Sequence, residues 1–300
     1  MNILFDMETG DPDDLITLLL LLANPDVQLR AVTCWQGSPI QIGLIKHVLA
    51  LANVDIPIGG LNESDPKELS PYYTDVVGQW NEAFAIQTPS DVFTKILEEF
   101  PDTKVLTGAP LTNLAKFLEN TPIHITEVVS QGGYLGDLVS EPLAKFRGKS
   151  EIRTYNLTND TDAFSIVNSS TQIEKLTFVT KDLCHGFMYT PELHNSITFG
   201  SSPIQQMLFK CLNRYALAGK SKAMHDPLAM LYLIYPEIGS FIPINMSFRV
   251  DSKGDNVFSS ILGNGSRFGL NYYNKELAWN KFSNLCRQDP VNYKKLDINT

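Results

Sequence analysis

Only four cysteines occur in the 300 residues, Cys34, Cys184, Cys211 and Cys286, and no two have the short spacing of a zinc-binding pair. Buried, reduced thiols are therefore expected. Positive charge is in deficit, with 24 basic against 33 acidic residues and a net charge of −9. Lacking any long basic run, such a chain is a poor candidate for binding nucleic acid or an anionic membrane. Long apolar runs are missing too. The longest, Leu15 to Ala23 with Thr17 inside it, is too short for a bilayer, which asks for about 20 residues. Met1 leads straight into a strand and an acidic loop, so no secretory leader is expected and a cytoplasmic setting is inferred. Repeats, low-complexity segments and a clear linker are absent. With 43% apolar and 19% charged residues, a single compact domain over residues 1–300 is expected.

Carboxylates, by contrast, are concentrated. Ile3 to Phe5 reads as a buried strand, and Asp6, Glu8, Asp11, Asp13 and Asp14 follow it within nine residues. Leu15 to Leu22 then reads as a helix. Strand, acidic loop and helix put the carboxylates at the carboxyl end of a first parallel strand, where open α/β sheets bind ligands. So much negative charge on one tight loop is unfavourable unless a cation neutralises it. Oxygen-only ligands favour calcium or magnesium over zinc. Helix-start and turn chemistry offers a plainer account of Asp11, Asp13 and Asp14. It does not account for Asp6 and Glu8 at the end of a strand.

Strand and helix signals alternate onward. Strands are expected over Val27–Cys34, Ile56–Gly59, Lys104–Leu106, Ile125–Ser130 and Lys175–Val179. Helices are expected over Ile40–Leu51, Leu111–Glu119 and Asp160–Asn168, with another capped by Ser90 and running to about Phe100. Asn62–Gln87 is polar, aromatic and irregular, the kind of insertion that covers a site. Later helices span Pro203–Leu217, Pro227–Leu233 and Lys275–Leu285, with strand pairs from about Phe248. This alternation implies an α/β fold: one open, mostly parallel twisted sheet flanked by helices, with a helical C-terminal part.

Several short segments add candidate chemistry. His225 and Asp226 stand before Pro227, where a helix first turn is expected. The plain reading is an N-cap beside a structural histidine; the sharper one is a metal-binding carboxylate beside a proton carrier. Thr107-Gly108-Ala109, Gln131-Gly132-Gly133 and Tyr155-Asn156 each adjoin a strand or helix end, and each alone is a weak signal.

Taken in order, these segments resemble the calcium-dependent nucleoside hydrolase family, the inosine–uridine-preferring N-ribohydrolases. Asp6 to Asp14 is similar to the family's acidic opening motif, Ala109 to Ala115 to its G-P-L-T-N turn, and Gln131-Gly132-Gly133 to its M-G-G strand end. Thr154-Tyr155-Asn156 falls on its E-F-N segment and His225 to Ala229 on its H-D-P-L-A segment. The resemblance implies Ca2+ as cofactor, held by Glu8, Asp14, Asp226 and a carbonyl of Gly108 or Thr107. It implies Glu8 as the base that takes a proton from water, Asp13 on the ribose 2′-hydroxyl and Asn156 on the ribose hydroxyls. His225 would lie over the leaving base as candidate acid, with Ser38, Gln131 and Thr154 completing the substrate contacts. It also implies a homo-oligomer, dimer or tetramer, and a small-molecule ribosyl substrate.

The chain departs from the family pattern at informative points. Glu8 replaces an aspartate, on a loop one residue longer. Thr154 replaces a glutamate on the sugar's 5′ side, and the Gln131–Thr154 loop is long and carries Lys145, Arg147, Lys149 and Arg153. Such a charge run is usually a solvated face; the alternative is accommodation of a 5′-phosphate or other substituent. Tyr232, Trp279 and Phe282 are candidates for the base pocket. The expected activity is release of a free base and ribose from a ribonucleoside. The alternatives are a hydrolase for a 5′-substituted or modified-base substrate, or a calcium-dependent ribosyl-ligand binder that has lost catalysis.

Overall fold

The computed structural model describes residues 1–63 and 69–288. Its strands are β1 (Asn2–Met7), β2 (Gln28–Cys34), β3 (Ile58–Gly59), β4 (Lys104–Thr107), β5 (Ile125–Gln131), β6 (Ile173–Val179), β7 (Met188–Tyr189), β8 (Lys222–Ala223), β9 (Gly239–Val250), β10 (Asn256–Leu262) and β11 (Arg267–Tyr273). Among the described residues, nine of them form one sheet in the order β10-β9-β11-β6-β5-β4-β1-β2-β3. Pairing from β3 across to β11 is parallel, and only β9 and β10 run against their neighbours. This is the mostly parallel, helix-flanked sheet expected from the alternation.

The run β3-β2-β1-β4-β5-β6 has a direct consequence. The chain leaves β1 to one side for β2 and β3, then returns to the other side for β4, β5 and β6. The carboxyl ends of β1 and β4 therefore flank a switch point, the crevice where doubly wound sheets take their ligands.

The first helix, Asp13–Ala23, has all eleven residues buried. Helices Pro203–Leu217, His225–Ile234 and Lys275–Arg287 pack around it. Leucine on every face is what a helix enclosed on all sides requires. It also draws Asp13 and Asp14 below the surface, where exposure falls to 1% or less. The four cysteines are buried and unpaired. No helix among the described residues is long and apolar enough to cross a membrane.

Local details differ from expectation in four places. Thr88, rather than Ser90, caps helix Pro89–Glu99: its Oγ1 accepts the Asp91 N–H at 3.2 Å, and Pro89 supplies a first residue with no N–H to satisfy. Asp226 is not an N-cap but lies inside the first turn of His225–Ile234, which Met224 precedes. β9 starts at Gly239, well before Phe248, because its first half pairs with β11 and its second half with β10. The small antiparallel pair β7–β8 was not anticipated from two-residue segments, and it fixes Lys222.

Candidate active site

Each parallel strand around the switch point delivers its side chains at its carboxyl end. β1 runs into Glu8, β4 into Gly108, β5 ends on Gln131, and β6 is followed by Lys181. These residues line one pocket of about 510 Å³ together with Asp11, Asp13, Thr154, Tyr155, Asn156, His225 and Asp226. Leu69, Ser70 and Pro71 close one side of it. They belong to the insertion expected to cover a site, whose residues 64–68 lie outside the described residues. Ser70 donates its N–H to the Thr9 carbonyl at 2.9 Å, and Tyr73 donates its hydroxyl to the Asp11 carbonyl at 2.9 Å. The insertion is thereby pinned to the acidic loop.

The floor is acidic. Carboxylate oxygens of Asp13, Asp14 and Asp226 lie within 4.8 Å of one another, and all three residues are buried. Asp14 Oδ1 accepts the Glu8 N–H at 3.0 Å, while Asp14 Oδ2 and Asp226 Oδ1 have no hydrogen-bond partner among the described residues. Buried oxygens with no donor are costly unless a cation or a proton meets them. Burial, reinforced by the other carboxylates, holds Asp14 and Asp226 well above the ordinary carboxylate pKa. The donor set is all oxygen, which suits a hard divalent cation. Backbone runs directly against it, since a Cβ on Gly108 would lie 2.8 Å from Asp226 Cγ and 3.0 Å from Asp14 Oδ1.

Asp13 belongs to a second group. Lys222 reaches Asp11 at 2.6 Å and Asp13 at 3.3 Å. Asp13 Oδ2 accepts the His225 N–H at 2.9 Å and the Asp226 N–H at 3.4 Å, so a residue of the first helix satisfies the opening turn of another. Burial favours the neutral acid, but Lys222 and His225 outweigh it and hold Asp13 down to about 2. Burial and the Asp13 charge push Asp11 up to about 7. Lys222 is expensive to bury, yet Asp13 and Asp11 keep its proton affinity above the ordinary lysine value.

Glu8 lines the pocket without joining the three-carboxylate group. Its oxygens accept the amides of Gly10 and, at 3.1 Å, Asp11. Burial pushes its pKa up to about 8. Asp6 lies deeper, where its Oδ1 accepts from Thr33 at 2.6 Å and Asn113 at 2.8 Å. That arrangement ties the end of β1 to β2 and to the helix after β4. Asn156 donates to Gly108 O at 2.8 Å and to Gln131 Oε1 at 2.9 Å, which joins three predicted residues in one buried cluster. Thr107 turns its hydroxyl to the Ala109 carbonyl at 3.2 Å. Ser38 is buried and outside the pocket wall, its N–H bonded to Gln41 Oε1 at 2.7 Å.

The His225 ring meets His185 edge-to-face at 5.2 Å, and burial drives both histidines down to about 4. His225 Nε2 is buried with no partner among the described residues. Tyr232, Trp279 and Phe282 do not line the pocket. Trp279 stacks on Phe187 at 3.8 Å and Phe282 packs against it, while Tyr232 is buried near Phe241. Sequence reading missed Lys222, Lys181 and His185. Lys181 stands two residues past the end of β6, a position the strand-end rule would have flagged. Lys222 lies only three residues before His225, but nothing local links it to Asp11.

The fold is that of the nucleoside hydrolases. It superposes with TM-score 0.71 on an inosine-uridine preferring nucleoside hydrolase from Bacillus anthracis, at 16% identity over 95% of this chain and 99% of the other. Against a purine-preferring ribonucleoside hydrolase from Gardnerella vaginalis the TM-score is 0.66, at 18% identity over 96% and 99%. Residues 3–263 match the family described as inosine-uridine preferring nucleoside hydrolase, and the chain belongs to that family. A pyrimidine-specific ribonucleoside hydrolase of Citrobacter koseri is 25% identical over 286 residues, covering 85% of each chain.

Proposed function

We propose that the protein hydrolyses the N-glycosidic bond of a ribonucleoside, releasing free base and ribose, with calcium at the three-carboxylate floor. One observation carries this reading: Asp14 and Asp226, 212 positions apart in the chain, hold donorless buried oxygens in one three-carboxylate group, and Asp13 and Asp226 of that group line the pocket at the sheet's switch point. Asp13, Asp14 and Asp226 would hold the ion, with Gly108 beside them. A bound calcium supplies positive charge that lowers the pKa of water and favours ribose oxygens at the floor.

The protein's own groups perform the remaining work. Glu8 is the side chain placed to take a proton from water: burial pushes its pKa up to about 8 and favours the neutral acid, a cation at the floor would favour the carboxylate, and the Gly10 and Asp11 amides hold its orientation. The water oxygen bonds to the anomeric carbon as the carbon–nitrogen bond breaks, and its electron pair leaves with the base. Carboxylates beneath the sugar favour the positive charge developing on it. Asn156, with Gln131 behind it, orients toward the sugar hydroxyls. His225 is neutral at pH 7, because burial drives its pKa to about 4. It therefore meets the departing base with an N–H hydrogen bond instead of a full cationic charge.

The test is release of free base and reducing sugar from purine and pyrimidine ribonucleosides, with calcium and after chelation. Release that chelation abolishes supports the reading. Absence of release from every nucleoside, with ligand binding intact, would leave a binding protein instead.

A further inference from the structure

Above the acidic floor the pocket turns cationic. Lys181 lines the wall beside Thr154, and its Nζ donates to the Arg153 carbonyl at 3.3 Å. Lys145 and Lys149 flank the Phe146 ring at 5.1 and 5.7 Å, and that ring lies 5.5 Å from His185. Two separate segments, the loop after β5 and the turn after β6, thus gather three ammonium groups on one side of the site: Lys181 in the pocket wall, and Lys145 and Lys149 behind it, linked to the pocket's His225 through Phe146 and His185. They are close enough to weaken each other's hold on a proton: burial and then neighbouring cations depress both Lys145 and Lys181. Among the described residues, none of the three forms an ion pair. The adjacent acid offers no relief, because Asp182 accepts the Gly136 amide at 2.8 Å and that of Leu135 at 3.3 Å. On a chain of net charge −9, one unneutralised lysine in the pocket wall with two more gathered behind it calls for an anion.

We propose that this lysine group recognises an anionic substituent on the ribosyl substrate, a phosphomonoester on the sugar's 5′ carbon. The proposal rests on the N-ribohydrolase reading. With the ribose diol at the acidic floor, the substituents left to reach the lysines are those on the 5′ carbon and the base. A phosphomonoester carries close to two negative charges at neutral pH, a carboxylated base only one. Three lysines, which bind phosphate as point charges, match the dianion better.

The experiment compares kcat/KM for inosine and uridine, their 5′-monophosphates, and a nucleoside whose base bears a carboxylate. It uses the calcium-loaded protein and its Lys181→Gln, Lys181→Arg and Lys145→Gln/Lys149→Gln variants. The 5′-monophosphates should exceed their parents by on the order of tenfold or more, and each Gln variant should cut that ratio by roughly tenfold. Lys181→Arg should keep most of it, and added salt should shrink it. Preference for the parent or for the carboxylated base, or a ratio indifferent to the Gln variants, overturns the proposal. If no compound releases a base, the hydrolase reading falls and calorimetry decides the lysine group on its own. Ribose 5-phosphate binding more tightly than both ribose and inorganic phosphate, with the gain lost in Lys181→Gln, supports it. Equal binding of ribose and ribose 5-phosphate overturns it.

Discussion

Replacing Asp14 by Asn isolates the cation site from the rest of the pocket. Ligand oxygens of Asp13, Asp14 and Asp226 lie within 4.8 Å of one another. Each ionised pair at that separation repels by about 3.5 kcal/mol at an effective dielectric of about 20. Without a cation the site must bear that repulsion or take up protons. Folding raises the proton affinities of Asp14 and Asp226, so their contribution to stability is present at low pH and is lost as pH rises above the unfolded carboxylate value near 4. The calcium-free protein should therefore melt at lower temperature at pH 8 than at pH 6. Asp14→Asn removes two of the three repulsive pairs, so its calcium-free form should melt higher than calcium-free wild type at pH 8. Calcium at a hundredfold excess over its dissociation constant should stabilise wild type by about 2.7 kcal/mol. In a chain of this size that is about 5 °C in Tm. For Asp14→Asn the calcium shift should fall below about 1 °C. Thermal melts at both pH values, with calcium and with chelator, read all four states. An equal calcium shift in both proteins, or none in wild type, would refute the reasoning.

Glu8→Gln keeps one of the two amide contacts, since its single oxygen can accept from Gly10 or Asp11 but not both, and removes the base, so kcat should drop on the order of a hundredfold or more while nucleoside binding by calorimetry persists; retention of turnover would move the base elsewhere. Asp13→Ala strands the His225 and Asp226 amides and half of the Lys222 pairing, at a cost of about 3 kcal/mol in urea unfolding. Glu127 on β5 is held by Lys175 at 2.8 Å and by Lys104, from the strands on either side. Burial raises its pKa, but the two lysines prevail and lower it. Its contribution is present above the unfolded glutamate pKa near 4.3 and is lost as pH falls through the lower folded value. Glu127→Gln should cost about 1 kcal/mol at pH 7, with the gap to wild type closing at pH 3.

The acidic opening, the alternation of elements and the His225-Asp226 pair were legible because they are local. Strand-end carboxylates and a leucine run with no polar face are set by short-range patterning, and the order of strands and helices follows from it. What the tertiary structure decided is which distant groups meet in the dark of the pocket. Asp13 reaches the amide of His225, 212 residues away, only because the first helix is enclosed by the helices of the C-terminal part. That burial, in turn, drives Glu8, Asp14 and Asp226 toward holding protons or a cation. The Lys222 clamp depends on a two-residue strand pair with too little sequence signal to be read alone. The lysine group depends on the loop after β5 folding over the turn after β6. Spacing along the chain names the charged groups, but their energies come from solvent exclusion and neighbours, and only the packed sheet supplies those.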